Sequence, residues 1–160
     1  MPTLHVAPAP ISRHCRLRTL DDALVEVDRL ARAPDVMLSP GWDLAHTLDH
    51  CARSIEHAMR GFPTQKHVLF QKLIGATVFH LFERRGYMKH NLLEEIPGDV
   101  FTPPPPALDT AIARLQHSIR VFLDYQGPLS PHFAYGALSR AEYDRANAMH
   151  IANHFDAMEF

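Results

Sequence analysis

Apolar positions recur at helical spacing through most of the chain. Leu20, Leu24, Val27 and Leu30 fall four, three and three residues apart, the interval that returns side chains to one face of a helix. Thr19 with Asp22 reads as a capping box at its start, and Pro34 closes it, because the residue before a proline is pushed out of the helical region. After the turn at Ser39, Pro40 and Gly41, Asp43 is the N-cap expected for a second helix running to about Arg60. Leu44, Leu48, Cys51, Ile55 and Met59 form its core stripe, and Gly61 and Pro63 stop it. A third helix is expected over Gln65 to Arg85. Its apolar residues Leu69, Phe70, Leu73, Ile74, Phe79, Leu81 and Phe82 cover more than half the circumference, which predicts burial on two sides.

The pattern breaks from Gly86 to Ala107, where Pro97, Gly98 and the run Pro103 to Pro106 forbid a continuous helix. This segment is expected to be a long crossover or lid. Leu108, Ile112, Leu115, Ile119 and Phe122 define a fourth helix ended by Gly127 and Pro128. Ser139 and Glu142 cap a last helix reaching about Met158. No strand pattern stands out, and residues 1–18, with Pro2, Pro8 and Pro10, read as an irregular arm. The expectation is an all-α fold with one domain over 19–160: a helical bundle with a long crossover between the third and fourth main helical segments.

Composition narrows the function classes. A length of 160 residues with 46% hydrophobic and 21% charged side chains suits one globular domain. No stretch approaches the roughly 18 apolar residues of a membrane span. Sixteen basic against eighteen acidic side chains give a net charge of −2, with no basic stripe of the kind nucleic-acid binding requires. The start of the chain lacks the basic and then apolar pattern of a secretory signal, so the cytoplasm is the expected compartment. The two cysteines, Cys15 and Cys51, are expected to be free thiols. Histidine is the unusual residue, with twelve copies, and neutral imidazole is the commonest metal ligand.

His150 and His154 stand four residues apart, so on a helix they project from one side, one turn above the other. At about 100° per residue, Tyr143, Ala146 and Ala157 share their face, while Glu142, Arg145, Asp156 and Glu159 fall outside it, so both histidines point inward. Two buried imidazoles need hydrogen bonds or a metal to offset desolvation. Core histidines bonded to backbone or to Tyr143 are the competing explanation. A third ligand would come from a facing helix, and the second helix offers His46, His50 and His57 on one flank near Thr47 and Ser54; spacing does not choose among them. Three imidazoles would leave a fourth position to water or substrate.

The other candidates are weaker. Tyr87, Met88 and His90 stand where a loop over the scaffold would carry substrate contacts. His132 and Tyr135 could reach the mouth of the site. Cys51 follows His50 but joins the apolar stripe, and Glu83 reads as part of a charged helix end. His5, His14, His67 and His117 are expected on the surface.

The run SPGWDLAHTLDHCARSIEHAMRGFP, the segment RGYMKHNLLEEIPG and the ending SPHFAYGALSRAEYDRANAMHIANHF together resemble an uncharacterised bacterial branch of the DinB/YfiT-like metalloprotein superfamily, the domain of unknown function 1569 family. The resemblance spans about Pro40 to His154 and implies a four-helix bundle binding a divalent metal, zinc, nickel or iron, through His50, His150 and His154. It thereby selects His50 over His46 and His57. It implies an enzyme of the metal-dependent hydrolase or thiol S-transferase type, acting on a small molecule, with a low-molecular-weight thiol as a candidate partner. Homodimers recur among such proteins. A non-catalytic bundle that senses or sequesters a metal or ligand is the alternative. The branch pattern implies a histidine where this chain carries Asn147, so an auxiliary ligand is missing here. The expected pocket comprises His46, Thr47, Ser54, His57, Tyr87, Tyr143 and Asn147.

Overall fold

In the computed structural model, which describes residues 2–160, side-chain caps set the helix starts. Thr19 accepts from the Asp22 backbone N–H while the Asp22 carboxylate accepts from that of Thr19, beginning α1 (Leu20–Arg32). Asp43 accepts from His46 N at 2.8 Å and begins α2 (Leu44–Arg60). The reciprocal pair Ser139 and Glu142 begins α6 (Arg140–Phe155). Each cap satisfies backbone donors that have no partner within the helix, a contribution of about 1 kcal/mol. Between α2 and α6 lie α3 (Val68–Phe70), a π-helical stretch (Gln71–Gly75), α4 (Ala76–Arg85) and α5 (Leu108–Asp124). The crossover between α4 and α5 carries no regular element.

One core holds the long helices together. Leu20, Val27 and Leu30 of α1, Leu48 and Ile55 of α2, Leu115 and Ile119 of α5, and Ile151 and Phe155 of α6 are almost wholly buried in it. Burying each such side chain stabilises the fold by about 1.5–3 kcal/mol. The α2 helix packs along α5, and α1 along both α5 and α6. A smaller cluster of Phe79, Met88, Ala146 and Met149 joins α4 and the start of the crossover to α6. No helix among the described residues is long and apolar enough to cross a membrane.

The chain is not all-α: β1 (Thr3–Val6), β2 (Asp35–Leu38) and β3 (Met158–Glu159) form a three-stranded sheet in the order β1-β2-β3, parallel between the first pair and antiparallel between the second. The arm is therefore ordered. It is also strapped to the end of α6, with Arg13 N donating to Asp156 O and Cys15 N to the Asp156 carboxylate. The last helix stops at Phe155 because Met158 turns into β3.

The third helix is interrupted by the π-helical stretch and does not begin until Val68. The interruption sits where the helix meets the loop before α6. Gln71 Nε2 donates to the carbonyls of His132 and Phe133, and a Cβ on Gly75 would overlap the Ala134 carbonyl oxygen. Only glycine permits that approach. Burial on two sides is not found: Phe79 is buried, but Leu69, Leu73 and Ile74 are 61%, 70% and 51% exposed.

Candidate metal centre

The α2 and α6 helices bring His50, His150 and His154 together. His150 Nε2 lies 3.2 Å from His50 Nε2 and 3.2 Å from His154 Nε2, and among the described residues these three form a group whose ligand atoms could hold one ion. Four ligands around zinc at about 2.0–2.1 Å sit roughly 3.3–3.4 Å apart, so the observed separations fit a shared divalent ion. Mutual hydrogen bonding fits less well. Three nitrogens crowd one point, and His150 Nε2, with either one proton or one lone pair, faces two partners at once.

The electrostatics supply neutral ligands. Burial pushes the His50 imidazole down to about 4, with the Glu95 charge pulling against it. His150 and His154 are held well below the usual histidine range by burial first, then by repulsion from neighbouring imidazoles. All three therefore present lone pairs at neutral pH, the form a metal takes.

The crossover supplies the outer layer. Glu95 Oε2 stands 3.4 Å from His50 Nδ1, a buried atom that is otherwise unpaired. A carboxylate behind a ligating imidazole fixes the ring and strengthens it as a ligand. Glu95 also accepts from His46 Nε2 at 2.7 Å and from Arg53 at 3.3 Å. Asp99 accepts from Arg53 at 2.8 Å and faces His57 Nε2 at 3.1 Å. His46 and His57 thus tie the crossover to α2 instead of joining the triad. Trp42 stacks on His46 at 4.2 Å and presents its edge to His50, while Phe101 covers the other face of His46 at 3.7 Å.

A cavity of about 190 Å³ opens beside the triad, with His50 and His150 in its wall. Ser54 and Asn147 line it, as do His90, His132 and Tyr135. His90 Nδ1 donates to the Asn91 carbonyl at 3.0 Å, and its ring lies 5.1 Å from that of His150. The remaining expected pocket residues lie elsewhere. Thr47 bonds back to the Asp43 carbonyl. Tyr143 is fully buried and donates to Ser130 O at 2.7 Å. Tyr87 sits under the Arg16 guanidinium, 4.3 Å away. His5, His14, His67 and His117 are exposed as expected.

Glu95, Asp99, Arg53 and Trp42 were missed by sequence reasoning. The EE and GD pairs in the crossover carried the only signal, acidic residues in a segment too proline-rich to be a solvated helix face. No curated protein and no solved structure matches the chain. A family model does, across residues 11–159, a span that takes in the triad, the crossover and the cavity wall. The chain belongs to the family described as Protein of unknown function (DUF1569).

Proposed function

We propose that this chain is a metal-dependent enzyme in which His50, His150 and His154 hold one divalent ion, zinc, nickel or iron. The site activates water or a low-molecular-weight thiol for attack on a small electrophile in the adjoining cavity. The convergence of three neutral imidazole nitrogens beside that cavity carries this reading. A divalent ion bound there supplies Lewis-acid activation and lowers the pKa of the nucleophile. Glu95 holds the His50 ring, while Trp42 and Phe101 shield the α2 side from water.

Neither cysteine can supply the thiol. Cys51 is fully buried, and burial pushes its pKa up. Cys15 lies at the strapped arm, bonded through its backbone to Asp156. Any thiol therefore comes from solution, as in the DinB/YfiT-like transferases that the sequence resembles. A bundle that only senses or sequesters metal needs the same ligands. The cavity lined by His50 and His150 favours the enzyme.

Metal analysis of untagged protein tests the site. One bound ion per chain is expected, lost in His150→Ala and His154→Ala while the helical circular dichroism persists. Full occupancy in both variants would remove the triad. Loaded protein is then screened with activated esters and with thiol conjugation, and full occupancy without turnover in either screen would favour the sequestering protein.

A further inference from the structure

We propose that the cavity beside the triad recognises an uncharged carbonyl group, an ester or a carboxamide, whose oxygen accepts hydrogen bonds from His132 Nε2–H and the Asn147 carboxamide. The assignment of His132 follows from its loop. His132 and Gly136 exchange backbone hydrogen bonds at 2.8 and 3.0 Å, closing a tight turn, and within it His132 Nδ1 lies 3.1 and 3.2 Å from the backbone nitrogens of Ala134 and Tyr135. Both are donors, so Nδ1 carries the lone pair and the proton sits on Nε2. The ring is stacked on Tyr135 at 4.3 Å and lines the cavity. Burial holds it neutral, pushing its pKa down to about 3. His132 is thus a fixed, uncharged donor.

Asn147 provides the second donor. It is only 4% exposed, lines the same cavity, and its Nδ2 has no hydrogen-bond partner. A buried amide without a partner is costly in the empty protein, and a ligand oxygen removes that cost. Two neutral donors match a neutral acceptor. Glu94, Glu95 and Lys66 line the same cavity, two acids against one base, and the Lys66 ammonium lies over the Phe70 ring at 4.7 Å, so the wall is net acidic and disfavours a carboxylate. Met88, Ile96 and Ala146 offer apolar surface for the rest of the molecule.

The use of this cavity as a substrate site rests on the proposed enzyme, whereas the hydrogen-bonding geometry stands without a metal. Benzamide is therefore titrated into nitrogen-15-labelled protein, first metal-free and then zinc-loaded. The free protein should show His132 as the Nε2–H tautomer, and benzamide should move its N–H resonance and the Asn147 amide resonances downfield. Asn147→Leu should weaken benzamide binding about tenfold, and benzoate should bind the metal-free wild type more weakly than benzamide. An Nδ1–H tautomer would overturn the proposal, as would unmoved resonances, unchanged affinity in the variant, or tighter binding of benzoate to the metal-free protein. The tautomer and the wild-type shifts decide even if the variant does not fold. Benzamide binding in protein that takes up no zinc would sink the metal reading alone, while zinc uptake with no response to benzamide would sink this one alone.

Discussion

Replacing Glu95 with Gln tests whether the crossover builds the proposed metal site or merely lies over it. The substitution keeps the side-chain size but removes the charge facing His50 Nδ1 at 3.4 Å and His46 Nε2 at 2.7 Å. Arg53 keeps its contacts with Asp49 and Asp99, so the crossover should stay docked. Carboxylates behind ligating histidines are worth 10–100-fold in metal affinity. The 3.4 Å separation is long, and the Glu95 side chain is 31% exposed, so solvent screens part of its charge. The expected loss is therefore near the lower bound, about tenfold or ~1.4 kcal/mol. Competition between the protein and a chelating zinc indicator at neutral pH measures it, with Glu159→Gln, an exposed carboxylate on β3, as the charge-matched control. Affinity within about twofold of wild type would show that Glu95 does not orient His50. A loss beyond about a thousandfold would make it a ligand, which the geometry does not support.

Acid stability is expected to follow the buried imidazoles: the unfolded chain protonates them near ~6.5, whereas the fold keeps His50 neutral to about 4 and His132 to about 3. Between those limits the unfolded state binds more protons, so stability falls as pH drops, by up to about 1.4 kcal/mol per pH unit for each group; urea titrations of metal-free protein at pH 7, 6 and 5 check this, and constant stability would refute it. For assembly, Val68, Leu69, Leu73 and Ile74 are each between 51% and 70% exposed, so neither the arm nor the Pro103 to Pro106 run covers them. A homodimer through this face is expected, and light scattering should give twice the 18.1 kDa chain mass, whereas a single-chain mass at micromolar concentration removes the dimer.

Local rules determined much of this protein. Capping residues and apolar spacing located α1, α2, α5 and the start of α6, because a helix is specified by neighbours within one or two turns. The same logic placed His150 and His154 on one inward face. Spacing could not choose among His46, His50 and His57, since all three share a flank of α2; the family resemblance pointed to His50, and the packing of α2 against α6 brings that residue to the pair. The sheet was invisible because its strands have two to four residues and pair at long range, β1 with a strand 32 residues on and β2 with one about 120 residues on. The break in the third helix depends on Gly75 meeting the Ala134 carbonyl, a contact between distant segments. Tertiary structure alone decided the roles of Glu95 and Asp99, which in sequence are only acids in a loop. They acquire partners because the crossover folds onto α2, where Arg53, His46 and His57 wait. Local sequence sets which face a residue occupies, while long-range packing sets what that face meets, and here that packing brings His50, Glu95 and the loop at His132 to the wall of one cavity.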